Sequence, residues 1–118
     1  MTFRKYTKED NNSVNEIFNL YWTDPEFLEE LNIELGKADF WVAEENEEVV
    51  GVAGIRPAPE HLGDSESLEL YIIASKAKGK GVGSALLQHI EKHIPDMYKY
   101  LVLYSPETHQ SSWRFYER

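Results

Sequence analysis

Residues 68–84 read LELYIIASKAKGKGVGS, an apolar run followed by lysines and three glycines. The run Leu68–Ile73 predicts a strand, and the apolar spacing beyond the glycines predicts a helix over Ser84–Ile94 that ends before Pro95. Glycine at such a junction permits positive φ and a close approach of the backbone to a ligand. The N-terminus of the helix adds free N–H groups and a positive dipole, so the stretch predicts a pyrophosphate site.

This glycine loop differs from two common nucleotide-binding motifs. A Walker A loop has lysine before its serine, but here Gly83 directly precedes Ser84. A G-x-G-x-x-G fingerprint needs a third glycine where the chain has Ser84 or Leu86. The alternative is a flexible turn with no ligand. The lysines at the rim, Lys78 and Lys80, favour the binding site.

The same rules place the other elements of the chain. Asp24 followed by Pro25 is typical of a helix start, and Gly36 of a helix end. The strand before the glycine loop and the one after its helix should form a parallel pair. The order is β-α-α-β-β-β-α-β-α, an α/β (α+β) fold with a mixed central sheet and flanking helices. The remaining predictions are a strand at Phe3–Tyr6, a helix capped by Thr7, an antiparallel hairpin of Phe40–Glu44 and Val49–Ile55, a loop at Arg56–Ser65, a strand at Tyr100–Tyr104 and a final helix opening at Ser112–Arg118.

Composition limits the class of protein. The 118 residues suit a single domain, 1–118, and 42% hydrophobic with 28% charged residues is typical of a globular chain. No apolar run suggests a membrane span or a secretory signal, so we expect a cytoplasmic protein without membrane contact. The absence of cysteine excludes a cysteine nucleophile, and the net charge of -9 makes nucleic acid a poor partner.

The loop Lys78–Gly83 resembles the acetyl-CoA loop of the GNAT N-acetyltransferase superfamily, R/Q-x-x-G-x-G/A, with lysine in the first place. Phe40–Glu44 with Glu48–Gly54 is similar to the central hairpin of that family, and Phe115–Arg118 to the start of its F-Y-x-x-x-G-F segment. The resemblance implies direct transfer of an acetyl group from acetyl-CoA to a primary amine of a small molecule or protein. Acidic residues in Asp24–Glu34 weakly favour a cationic acceptor.

The resemblance also assigns the cofactor contacts. The pantetheine arm should pair with the strand edge at Ile72 and Ile73, which requires that strand and Tyr100–Tyr104 to splay apart. His109 replaces an asparagine that contacts the cofactor in the family, and a solvated histidine is the alternative there. The pyrophosphate should contact the loop Lys78–Ser84, including Val82, through the backbone N–H groups of Gly79, Lys80, Gly81, Gly83 and Ser84.

Two residues are candidates for proton transfer. Tyr116 matches the tyrosine that acts as general acid in the family, and a packed core aromatic is the alternative. Glu69 is the candidate base because a carboxylate inside an apolar strand needs an explanation; an exposed edge or a structural ion pair would also provide one. Strand alternation places Glu69, Tyr71 and Ile73 on one face and Leu68, Leu70 and Ile72 on the other. Glu66 is a weaker candidate, and the histidines do not form a metal motif.

The family continues with further strands beyond the position of Arg118. We therefore expect the edge of Tyr100–Tyr104 to remain open and the chain to associate, for example as a homodimer. The alternative to an enzyme is an inactive acyl-CoA-binding or regulatory module, and a third interpretation is a purely structural α/β domain.

Overall fold

The computed structural model describes residues 1–57, 67–76, 81–95, 100–105 and 110–117, of which Ser67 and the last two ranges are described by their backbone. The α/β fold class with a mixed sheet is confirmed, and the predicted order holds from the first strand to the fifth. The described elements are β1 (Thr2–Lys5), a short 3-10 helix (Lys8–Asp10), α1 (Asn11–Tyr21), α2 (Pro25–Leu35), β2 (Asp39–Glu45), β3 (Glu48–Pro57), β4 (Ser67–Ser75), α3 (Val82–Glu91), β5 (Tyr100–Ser105) and β6 (Gln110–Glu117).

Local capping explains where the first helices begin. The N–H of Glu26 donates to Asp24 Oδ1 at 3.1 Å, and α2 ends at Gly36, as predicted. Before α1, the N–H of Thr7 donates to Asp10 Oδ2 at 2.8 Å, and the N–H of Asp10 donates to the Thr7 carbonyl at 2.9 Å. These bonds satisfy donors that have no acceptor within the helix.

An ion-pair cluster joins β1 to the start of α1 and to β2. Arg4 donates to both carboxylate oxygens of Asp10 at 2.8 Å, and its Nη2 lies 3.1 Å from Glu44 Oε2. The bond from Arg4, helped by the Thr7 amide, holds the pKa of Asp10 at about 2, although burial acts in the opposite direction. The cluster therefore favours an ionised carboxylate in the folded state.

The strands form one six-stranded sheet in the order β1-β2-β3-β4-β5-β6. The predicted antiparallel hairpin of β2 and β3 is confirmed, and it turns through Asn46 and Glu47, whose φ angles are 53° and 65°. The parallel pairing of β4 with β5 is also confirmed, whereas the other neighbouring strands are antiparallel. One parallel pair within an antiparallel sheet makes the sheet mixed.

Helices cover both faces of this sheet. The helices α1 and α2 pack on one face, around Phe18, Leu31 and Val52, while α3 packs on the other through Val82 and Leu86. The predicted apolar stripe of α3 is buried against the sheet. No helix within the described ranges is long and apolar enough to cross a membrane.

The last element differs from the expected helix. Residues Gln110–Glu117 form β6, which pairs antiparallel with β5 from Tyr100↔Glu117 to Ser105↔Gln110. A helix of so few residues gains little stability alone, whereas the edge of β5 offers a ladder of unpaired hydrogen-bonding groups. The edge that we expected to stay open is therefore covered, and association of the chain stays a prediction.

The predicted division of β4 into two faces is wrong beyond its middle. Ile55 pairs with Leu70 and Gly54 with Ile72, so Tyr71 is an extra residue in β4. This β-bulge shifts the alternation by one position. Ile72 therefore joins Tyr71 on the α1–α2 face, and Ile73 packs against the α3 side.

Candidate functional site

A gap opens between the parallel strands halfway along β4. Their pairing runs from Ser67↔Tyr100 to Leu70↔Leu103, whereas β4 continues to Ser75. The bulge at Tyr71 lies where this pairing ends, and a bulge bends its strand and increases the local twist. The edge of β4 that includes Ile72 and Ile73 is thus unpaired with β5 over the described residues. This is the separation of strands that the sequence analysis required.

The N-terminus of α3 lies beyond the same end of β4. Gly81 caps the helix with φ 72°, a left-handed conformation that favours glycine, and it is exposed. The first helical bond runs from the N–H of Ala85 to the Gly81 carbonyl at 2.9 Å. The N–H groups of Val82, Gly83 and Ser84 precede that bond and can donate to an anion. Among the other predicted contacts, Lys78, Gly79, Lys80 and His109 lie outside the described residues.

A glycine in β3 determines how closely α3 approaches the sheet. A Cβ built on Gly51 would lie 2.8 Å from Val82 Cγ1, closer than real Cβ contacts come. On β4, Ile73 Cδ1 lies 3.7 Å from a Cβ built on Gly83, an ordinary contact. The helix N-terminus is therefore placed directly over β3 and β4. The sequence analysis missed Gly51, although a glycine inside a strand commonly marks a close backbone approach.

Glu69 is fully buried and forms an ion pair. Its Oε2 accepts a hydrogen bond from Arg56 Nε at 2.8 Å, and Arg56 Nη1 lies 3.2 Å from Glu34 Oε1 on α2. The other oxygen, Oε1, has no partner among the described residues. The exposed edge that we considered for Glu69 is thus excluded, and the structural ion pair that we left open agrees with its contacts.

Tyr71 extends this cluster along the same face. The Arg56 guanidinium carbon lies 4.1 Å from the centroid of the Tyr71 ring. The hydroxyl is buried and makes no hydrogen bond to a described residue. Burial, followed by the nearby charge of Glu30, raises the pKa of Tyr71, so the phenol stays protonated at neutral pH. The sequence analysis gave Tyr71 and Arg56 no role at the site, because their contact depends on the pairing of β3 with β4.

A groove of about 370 Å³ lies beside this cluster, where α2 ends and β4 begins. Its wall includes Glu34 and Arg56 from the cluster and Leu68 from the start of β4. Lys37 and Asp39 also line it, and both are exposed. Arg56, the partner of the buried Glu69, thus lines a cavity that is open to solvent.

Tyr116 lies in a strand and not in the helix that the sequence analysis expected at Ser112–Arg118. It is part of β6, where its backbone pairs with Leu101, and Leu101 in turn pairs with Leu68 on β4. The strand β5 thus separates the backbone of Tyr116 from the part of β4 that still pairs with β5. Its role as a general acid stays a prediction. Within the described ranges, no three His, Asp or Glu side chains form a group that could hold a metal ion.

Comparison with known families identifies this arrangement. The model of the acetyltransferase (GNAT) family matches residues 11–118. The chain therefore belongs to the GNAT family of acetyltransferases. Among curated proteins, none matches the chain significantly.

Solved structures share the fold. The N-acetyltransferase from Staphylococcus aureus Mu50 is 26% identical with a TM-score of 0.66, and the match covers 86% of this chain and 71% of that one. The ribosomal-protein-alanine N-acetyltransferase from Brucella melitensis is 25% identical with a TM-score of 0.65, over 87% and 73%. A GNAT family acetyltransferase from Brucella melitensis in complex with acetyl-CoA has a TM-score of 0.74 at 15% identity, over 98% and 86%. That last likeness is one of fold.

Proposed function

We propose that the chain binds acetyl-CoA and transfers its acetyl group directly to a primary amine of a small molecule or protein. The observation that carries the proposal is the unpaired edge of β4, which begins at the Tyr71 bulge and leads towards the N-terminus of α3. Family membership and the acetyl-CoA complex of a structure with the same fold support it.

The cofactor would occupy this edge and the helix N-terminus together. The edge at Ile72 and Ile73 would hold the amides of the pantetheine arm as an added strand. The first amides of α3, including those of Gly83 and Ser84, would donate hydrogen bonds to the pyrophosphate, and glycine at 81 would keep side chains away from it. The remaining loop contacts proposed from the sequence are Lys78, Gly79, Lys80 and His109.

The transfer itself needs three proton movements. The acceptor is an ammonium at neutral pH, so a base must remove a proton before the nitrogen attacks the thioester carbonyl carbon. The C–N bond forms as the C–S bond breaks, the nitrogen loses a second proton to solvent, and the leaving sulfur takes a proton to become the free thiol. We assign the first removal to Glu69, acting through Oε1, and the protonation of the sulfur to Tyr116, which regains its proton from solvent. Direct transfer suits a chain without cysteine.

The burial of Glu69 favours a second candidate function. A base must reach the acceptor or an intervening water, but this carboxylate is fully buried and Arg56 occupies Oε2. An acyl-CoA-binding module would keep the open edge of β4 and lack turnover. This second function depends on the ion pair staying intact when the cofactor binds.

Calorimetry with acetyl-CoA, combined with thiol release over a panel of amines, separates the two functions. Binding with turnover supports the transferase, binding without turnover supports the module, and no binding contradicts both. Gly81→Val should raise the Kd for acetyl-CoA at least tenfold, because valine strongly disfavours φ 72°. Gly36→Val is the matched control, since Gly36 ends α2 with φ -89°, which valine can adopt.

A further inference from the structure

The cluster of Glu34, Arg56 and Glu69 carries an unbalanced charge. Two carboxylates share one guanidinium, through the 3.2 Å contact to Glu34 and the 2.8 Å bond to Glu69. The side chains are 17%, 29% and 1% exposed for Glu34, Arg56 and Glu69 respectively. Charges withdrawn from water in this way are weakly screened, so the excess negative charge attracts a further cation.

The unpartnered oxygen of Glu69 is a second sign that the cluster is incomplete. A buried charged acceptor without a donor is costly, so native proteins rarely leave one. Glu69 Oε1 is in that position, and so is the hydroxyl of Tyr71 on the same face. A positively charged group bound beside the cluster would offset the uncompensated charge of this carboxylate.

The groove gives such a group a route to the cluster. Glu34 lines the groove with its side chain partly exposed, whereas Glu69 is buried and does not line it. The other charged residues of the wall, Lys37 and Asp39, have opposite signs and are exposed, so they nearly offset each other. The excess negative charge of the cluster therefore dominates the groove.

The position of the cluster along β4 sets a distance. Glu69 precedes the unpaired edge, which starts at Tyr71 and includes Ile72, by two to three residues. At about 3.3 Å per residue, the cluster lies roughly 7–10 Å along the strand from the start of the open edge. An acceptor amine at that edge could therefore place a second positive charge at the cluster.

We infer that Glu34, held by Arg56 and backed by the buried charge of Glu69, forms a cation subsite that selects acceptor amines with a second positive charge. The inference rests on the proposed transferase and specifies its substrate class. The subsite accepts an alkylammonium group, which donates to Glu34 and neutralises the carboxylate behind it. A monoamine of the same length lacks this interaction.

The test compares hexane-1,6-diamine with hexan-1-amine as acceptors. We expect kcat/KM at least tenfold higher for the diamine, since a hydrogen bond to a charged group is worth about 1.5–3 kcal/mol. Glu34→Gln should reduce that ratio to below threefold, mainly through KM. Asp39→Asn removes the same charge from the same groove outside the cluster and should keep the ratio. Equal rates for the two amines, or a preference that survives Glu34→Gln, would overturn the inference.

Calorimetric titration of the diamine, with coenzyme A present, separates this inference from the proposed function. Diamine binding that weakens at least tenfold in Glu34→Gln, but not in Asp39→Asn, supports the subsite even if no acetyl group is transferred. Absence of diamine binding in the folded wild-type protein counts against the subsite, even if acetyl-CoA binds and a monoamine is acetylated. Because Glu34 is partly exposed, Glu34→Gln should keep the fold.

Discussion

Gly51→Ala tests whether the contact of α3 with β3 holds the candidate site in place. The new Cβ would lie 2.8 Å from Val82 Cγ1 and 3.5 Å from Ala43 Cβ. Val82 is 4% exposed and begins α3, where a valine has one strongly preferred rotamer. The clash must therefore move the helix N-terminus away from the sheet.

The expected cost follows from two opposing effects. Overpacking a core position costs about 1–3 kcal/mol, and replacing glycine in a strand recovers about 0.5–1 kcal/mol of backbone entropy. The net loss of stability should be about 1–2 kcal/mol, or a fall in Tm of roughly 4 °C per kcal/mol. In a Val82→Ala background the obstructing methyl is gone, so the substitution should become neutral or slightly stabilising.

Urea unfolding of the wild type, Gly51→Ala, Val82→Ala and the double variant measures the coupling free energy between the two positions. This coupling should be at least about 1 kcal/mol. Gly54→Ala is the matched control, because its Cβ would lie 2.6 Å from the Phe40 ring on the opposite face of the sheet. Both single variants should lose stability, but we expect only Gly51→Ala to weaken acetyl-CoA binding. Strictly additive free energies for Gly51→Ala and Val82→Ala would refute the argument.

Three further predictions concern single side chains. The pKa of Asp10 is about 2 in the folded protein. Its contribution to the free energy of unfolding, about 2 kcal/mol, is therefore present above pH 4 and lost as the pH falls towards 2. Asp10→Asn should remove this acid-dependent part of the stability measured in urea. Tyr71→Phe removes an unpaired buried hydroxyl, so stability in urea should stay within about 0.5 kcal/mol or rise, and a loss above about 1.5 kcal/mol would mean that the hydroxyl is bonded. Burial and the charges of His93 and Lys92 lower the pKa of His89. The free energy of unfolding should therefore decrease as the pH falls below about 6.5. Urea unfolding of His89→Asn at several pH values should show less of this dependence.

The sequence predicted most of the fold because its signals are local. The cap at Asp24, the stop at Gly36 and the aromatic and β-branched run of β2 each depend on a few neighbouring residues. The final strand was missed for the opposite reason: residues 110–117 form a strand through pairing with β5, and the strand preference of their aromatic residues depends on such distant contacts.

The candidate site was predicted less completely, since its shape depends on distant contacts. Both faces of β4 are buried, so its sequence is apolar apart from Glu69 and the serines at its ends, and it gives no sign of a shift in alternation. The bulge at Tyr71 became visible only from the register with β3. Likewise, Glu69 was conspicuous as a carboxylate in an apolar strand, but its partner Arg56 lies on the neighbouring strand.

Three features from different parts of the chain define the geometry of the site. Gly51 lets α3 approach β3, the bulge at Tyr71 interrupts β4, and Gly81 begins the helix in a conformation that suits glycine. Each would be tolerated as an isolated irregularity, yet together they place an unpaired strand edge beside a helix N-terminus. The strand edge supplies an extended backbone partner, and the helix N-terminus supplies an anion site, but neither supplies both. The glycine loop is therefore better understood as one part of a site than as the whole of it.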